Sequence, residues 1–261
     1  MFNLSFRVFG TSIKITIWFW VFSALFGYMM GVHREGWQIF LVWILCNLIA
    51  WIVKEVGHVI AGRFFGIPGG IVLGGMGGSA VGDYAQAPRW QQIIIYAAGP
   101  ITALAFYSLI FFGAHKITTN LANFGRFELI AFWGMTYLAF LTLFWNLLNL
   151  LPILPMDGGK ILQAAIGYVV GRRDFLVAAI VSFLLAASVA GYSIYRIYHP
   201  EVPFVDRIMR PLYPTELRNG NFARVDADST FMAFIFGFYA ITNLIGIFKK
   251  PKPPEESRRV W

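Results

Sequence analysis

The sequence predicts an all-α polytopic membrane protein of about six transmembrane helices, with one small membrane-associated β-hairpin. Three observations predict this class. The 261 residues are 58% hydrophobic and only 13% charged, where a soluble domain carries about twice that charged share. Six apolar segments recur along the chain, each close to the ~20 residues a helix needs to cross the hydrocarbon core. A glycine-rich stretch between the second and third segments is too apolar to be a flexible linker.

Taken in order, residues 1–10 alternate loosely through Phe2, Leu4, Phe6 and Val8, and predict a short strand. The first span is read at 12–31. Its length, and the lack of a small-residue cleavage pattern, make it a retained span rather than a signal peptide. The second, 37–61, contains Cys46, Lys54, Glu55 and His58. Cys46 is the sole cysteine, cannot form an internal disulfide, and reads as a packing residue. Residues 66–82 hold eight glycines between apolar residues, and predict a hairpin or re-entrant loop at the membrane surface. The third span is 91–114 and the fourth, 129–151, ends in Asn146 and Asn149. The fifth and sixth are 175–198 and 230–248, so that 1–248 forms a single transmembrane domain. Residues 249–261 are Pro-rich and charged, and predict a disordered cytoplasmic tail.

The net charge of +8 does not indicate nucleic acid, because no basic amphipathic helix or RNA-binding signature carries it. It follows the positive-inside rule instead. Twelve basic residues lie on the side of the N-terminus (Arg7, Lys14, Arg63, Arg89, Lys160, Arg172, Arg173 and the five of the tail) and eight on the other. Both termini are therefore expected in the cytoplasm.

Ionisable groups at membrane depth are costly and mark function. Helical spacing puts Glu55 and His58 on one face, with Lys54 one turn before His58. In a His-Glu-x-x-His helix two histidines hold zinc, and the glutamate activates its water. Here the Glu and the second His are present and Lys54 stands in the first position. A lone Glu-x-x-His is a weak signal. Residues 146–162 are more specific, reading Asn-Leu-Leu-Asn-Leu-Leu-Pro-Ile-Leu-Pro-Met-Asp-Gly-Gly-Lys-Ile-Leu.

That run resembles the Asn-x-x-Pro-x-x-Pro-x-Asp-Gly signature of the site-2 protease family of intramembrane zinc metalloproteases. Asn149, Pro152, Pro155, Asp157, Gly158 and Gly159 fall at its spacing. Ala98-Gly99-Pro100 and the glycine-rich segment are similar to family elements in the same order, and the resemblance covers about residues 1–170. It implies a three-helix catalytic core and cleavage of transmembrane or membrane-proximal peptide bonds in membrane-protein substrates. It also implies a zinc cofactor on His58, Asp157 and, in place of a histidine, Lys54. Glu55 would be the general base. Asn149 would orient substrate or stabilise an oxyanion, and an extended substrate would add to the edge of the 66–82 hairpin. A bacterial inner membrane is the location it implies.

Lys54 departs from the family pattern. An ammonium has no lone pair, so Lys54 could bind zinc only after losing its proton. Without it two protein ligands remain, where catalytic zinc usually has three. Alternatively, the ammonium replaces the metal's charge by pairing with Glu55 or Asp157, leaving a zinc-free pseudoprotease that binds membrane-protein clients without cutting them. A transporter is disfavoured, because the intramembrane charges form one cluster with no counterpart in the second half.

Plainer readings stand beside these. His58 could be a packed histidine bonded to a carbonyl, Glu55 only the partner of Lys54, and Asp157-Gly158-Gly159 a turn capping the next helix. His33, His115 and His199 lie at span ends and read as interfacial. Gly75-Met76-Gly77 lacks the context of a nucleotide fingerprint, Ser79 lacks a partnered base, and Asn243 reads as interhelical glue.

Overall fold

The computed structural model describes residues 3–75, 77–118, 126–199 and 229–248. The predicted tail at 249–261, and all of the 199–228 loop beyond its first residue, lie outside the described residues. The order of elements is β1 (Leu4–Val8), β2 (Thr11–Ile15), α1 (Ile17–Met29), α2 (Trp37–Phe64), β3 (Gly69–Gly74) and β4 (Gly77–Gly82). These are followed by α3 (Arg89–Thr118), α4 (Arg126–Asn149), α5 (Asp157–Val170), α6 (Asp174–Tyr198) and α7 (Ser229–Phe248).

Among the described residues, five helical stretches are long and apolar enough to cross a membrane: Trp37–Phe64, Arg89–Phe111, Ile130–Asn149, Asp157–Tyr198 and Ser229–Phe248. The fourth joins α5 to α6 through a single 3-10 turn, Gly171–Arg173. The segment expected at 12–31 starts its helix later, at Ile17, because Thr11–Ile15 pairs as a strand. The reason is visible in the side chains. Thr11, Ile13 and Ile15 point inward while Ser12 and Lys14 face out, a period of two with β-branched residues on the buried face.

The hairpin expected at 66–82 is present and belongs to a larger sheet. Its strands β3 and β4 are antiparallel, with Ile71 opposite Ala80. β2 runs parallel to β3, with Ile13 opposite Ile71 and Ile15 opposite Leu73, and β1 closes the order β1-β2-β3-β4. The parallel pair is possible because α1 and α2 make the long crossover such pairing needs. A sharp reversal after α2 delivers the chain to β3. Gly66 sits at φ +75°, and the N–H groups of Ile67 and Gly66 bond the carbonyls of Gly62 and Arg63. This is the Schellman geometry, and it favours glycine at that position.

The core lies between α1, α2, α4 and α7. Trp43 is fully buried, edge-on to Phe26 and Tyr137, and donates its indole N–H to the Ser23 carbonyl at 3.0 Å. Cys46 is buried against α4, with its thiol 3.5 Å from the Gly134 carbonyl, as a packing residue. The outward faces are apolar: Ile101, Leu109, Val169, Leu184 and Ile241 are all exposed. Such an exterior suits lipid and not water. His33 and His199 stack on Tyr28 and Tyr195 at helix ends.

Candidate active site

Three elements converge on one buried cluster. α2 carries Lys54, Glu55 and His58, α5 begins at Asp157, and β4 passes over Glu55. All four side chains are buried, between 1% and 7% exposed. The Lys54 ammonium donates to Glu55 Oε1 at 3.0 Å and stands 2.8 Å from Asp157 Oδ2. The second contact is a close ion pair with the buried Asp157 carboxylate. Lys160, one turn into α5, lies 3.9 Å from Asp157 Oδ1 and over the Tyr96 ring. Asp157 thus meets cations from two sides, and Glu55 from one.

His58 is held from α3. Its Nδ1 lies 2.7 Å from the Ile95 carbonyl. A carbonyl only accepts, so Nδ1 carries the proton, and in the neutral ring Nε2 keeps a free lone pair. That nitrogen is buried without a hydrogen-bond partner among the described residues and faces Asp157 Oδ2 at 3.5 Å.

Small residues make this convergence possible. A Cβ on Gly99 would fall on the His58 imidazole, and one on Gly78 would fall 2.6 Å from Glu55 Cγ. On α5, side chains at Gly158 and Gly159 would strike the backbone of the loop from Leu150 to Leu154. The Ala-Gly-Pro element of α3 and the glycine-rich hairpin therefore let backbone approach the charged side chains. Asp157, in the first turn of α5, also meets the positive end of that helix.

Asn149, at the end of α4, donates to the Trp145 carbonyl at 2.9 Å and borders a cavity of about 300 Å³ shared with Lys54, Asp157 and Lys160. Trp51, Phe238 and Tyr239 line it as well, and motif reading pointed to none of them. Their only sequence signal is aromatic character in apolar spans, which 18% of the chain shares. A second, polar cavity of about 480 Å³ lies beyond Lys160, bordered by Arg89, Gln92, Tyr96 and Gln163.

The donor set can be tested against zinc. Two ligands on one tetrahedral zinc stand about 3.3–3.5 Å apart, given bonds of about 2.0–2.1 Å. His58 Nε2 and Asp157 Oδ2, at 3.5 Å, meet that spacing. The third position does not fit, because an ammonium fills it. Among the described residues no three His, Cys, Asp or Glu side chains group as a metal would require. As it stands, the set does not fit a catalytic zinc.

Comparison with known proteins gives this arrangement a context. The signature of peptidase family M50 matches residues 40–191. Rip3 of Mycobacterium tuberculosis (strain H37Rv), which carries the name of a zinc metalloprotease, is 28% identical over 159 residues, 58% of this chain and 39% of that protein. Stage IV sporulation protein FB of Bacillus subtilis (strain 168) is 27% identical over 146 residues, 55% of this chain and 43% of that protein. The chain thus spans about two-fifths of the length of these relatives. The solved structure of the site-2 protease from Methanocaldococcus jannaschii superposes with a TM-score of 0.53 at 20% identity, covering 92% of this chain and 95% of that one. At that identity the likeness is one of fold.

Proposed function

The chain belongs to peptidase family M50, and from that premise we propose that it is a zinc-free pseudoprotease that binds segments of membrane proteins without cutting them. It is an integral membrane protein with a metalloprotease-like fold. What distinguishes it is the ammonium of Lys54, 3.0 Å from Glu55 and 2.8 Å from Asp157. That single observation carries the reading. The carboxylate that would take a proton from water, and the one that would hold a metal, are both paired to a fixed cation. The cation neutralises charges that would be costly at membrane depth.

The client site is read as the outer edge of β4. β4 has only β3 as a neighbour among the described residues, and it runs past Glu55. An extended chain added there would meet unpaired backbone N–H and C=O groups with little side-chain obstruction, because Gly77, Gly78 and Gly82 lie on that strand. Asn149 would contact such a chain from α4. The whole of 1–248 is read as one domain. The distribution of basic residues and two bacterial relatives support a bacterial inner membrane with both termini in the cytoplasm.

A second reading, that the chain hydrolyses membrane-embedded peptide bonds as a zinc enzyme with Glu55 as base, is favoured by one observation, the ligand-like spacing of His58 and Asp157. It requires Lys54 to shed its proton. Metal analysis of the purified full chain separates the two. The pseudoprotease reading expects less than about a tenth of a zinc per chain, rising to about one in Lys54→His, which restores the usual three ligands. Stoichiometric zinc in the unaltered chain, lost in His58→Ala, would overturn it. So would cleavage of a single-span client that stops in Glu55→Gln.

A further inference from the structure

Asp157 is positioned by a loop, and that loop is gripped in an unusual way. Leu154, three residues before Asp157 and buried, lies outside any helix, so its backbone groups have no ladder to join. Its N–H donates to Ser182 Oγ on α6 at 2.8 Å, and its carbonyl accepts from Asn243 Nδ2 on α7 at 2.7 Å. Each clamp residue is itself tied down. Ser182 Oγ donates to the Ala178 carbonyl at 2.6 Å, and Asn243 Nδ2 also reaches the Tyr239 carbonyl at 2.8 Å. Ser182 is fully buried and Asn243 nearly so. One turn before Asn243, Tyr239 borders the cavity that holds Lys54 and Asp157.

We propose that Ser182 and Asn243 are positioning residues, which hold the two backbone groups of Leu154 and so set Asp157 against Lys54. Glue between helices would join α6 to α7 directly. Here both polar side chains converge on one loop residue instead, from helices that carry no charged member of the cluster. Asn243 lies beyond the stretch matched by the family signature, so this link to the site comes from the chain's last described helix. Movement of α7, which also walls an apolar recess with Phe231 and Ile235, would pass through Asn243 to the Asp157 loop. The inference rests on reading the Lys54–Glu55–Asp157 cluster as the working site.

The test is the reactivity of Lys54 in the full chain, with acetic anhydride as probe and peptide mass spectrometry as readout. A loop freed from its clamp releases the ion pair that shields the amine. Ser182→Ala and Asn243→Leu should each raise the rate of Lys54 acetylation five-fold or more, while Ser182→Thr, which keeps the hydroxyl, stays near the unaltered chain. Asn47→Leu removes a fully buried amide that bonds only within α2. It controls for general loosening and should leave the rate unchanged. Rates within two-fold of the unaltered chain in Ser182→Ala and Asn243→Leu, or an equal rise in Asn47→Leu, would overturn the proposal. If Asn243→Leu fails to fold, Ser182→Ala against Ser182→Thr decides. Zinc is measured on the same preparations, so stoichiometric metal would overturn the zinc-free reading separately from the clamp.

Discussion

Lys54 contributes charge where its position in the motif calls for a lone pair. Because Glu55 and Asp157 are buried on either side of it, Lys54→Met should leave Glu55 without its ion-pair partner and Asp157 with only the longer contact to Lys160, and destabilise the chain by about 3–5 kcal/mol. Adding Glu55→Gln and Asp157→Asn should recover most of that loss. Thermal unfolding in detergent measures both, and a triple variant no more stable than Lys54→Met would refute the neutralising role. Gly99→Ala tests the approach of α3. Its Cβ meets the His58 ring from a rigid helix, so overpacking of about 1–3 kcal/mol is expected, with a weaker zinc affinity in the Lys54→His background. At this scale much was legible in the sequence. Lys54, Glu55 and His58 stood out as ionisable groups in an apolar span and Asp157 in the run at 146–162, and the structure gathers them. What joins residue 58 to residue 157 is a contact between helices about a hundred positions apart, and only the run at 146–159 hinted at it. Ser182 and Asn243 carried no such hint, because a single serine or asparagine in an apolar helix has no spacing to read.

Among the elements, the sheet departs most from the sequence reading. The alternation in β2 was there to see, yet averaging hydropathy over a span-length window buried it inside the first apolar segment. The glycine-rich hairpin was legible, but its parallel partner was not, since pairing across two intervening helices leaves no local mark. Helix α5 escaped for a related reason, being too short to span and continuous with α6. The joint between α2 and the sheet is closed by Tyr84, which is buried where a Cβ on Gly62, Gly69 or Gly82 would strike its ring. Burial, and then the nearby Glu55 carboxylate, push the Tyr84 phenol up to about 12. A phenol with a raised folded-state pKa contributes stability that is intact below the unfolded value of about 10 and is lost as pH rises toward 12. The joint should therefore weaken between pH 10 and 12. Its hydroxyl has no hydrogen-bond partner among the described residues, so Tyr84→Phe should match the parent at neutral pH and lose less stability across that window. Unfolding midpoints measured against pH would show the difference, and parallel curves would exclude it.

For the molecule as a whole, the apolar exterior and five long helices give the membrane class that composition already indicated, while the reading of charge sidedness remains for cysteine labelling to test. A thiol placed beside Arg172 should react only from the cytoplasmic face of inside-out vesicles, and labelling from the opposite face would reverse the assigned orientation. The bilayer itself is affected by one short element. α1 has 13 residues, so it rises only about 20 Å, against a hydrocarbon thickness of about 30 Å. It is flanked by a sheet whose outermost strand exposes Leu4, Phe6 and Val8, with Phe9 95% exposed at the hairpin tip. Where α1 crosses the bilayer, lipid beside it is expected to thin toward the sheet, at a cost of a fraction of a kcal/mol per ångström. A dimple in the leaflet beside α1 is the expected consequence. A neighbouring helix that drifts into the dimple would find its end outside hydrocarbon, where its backbone can uncoil into water before it ever reaches Glu55. Reconstitution into bilayers of graded acyl length should show the highest melting temperature in short chains and a steady fall as they lengthen. A flat profile would mean that the membrane around α1 is of ordinary thickness.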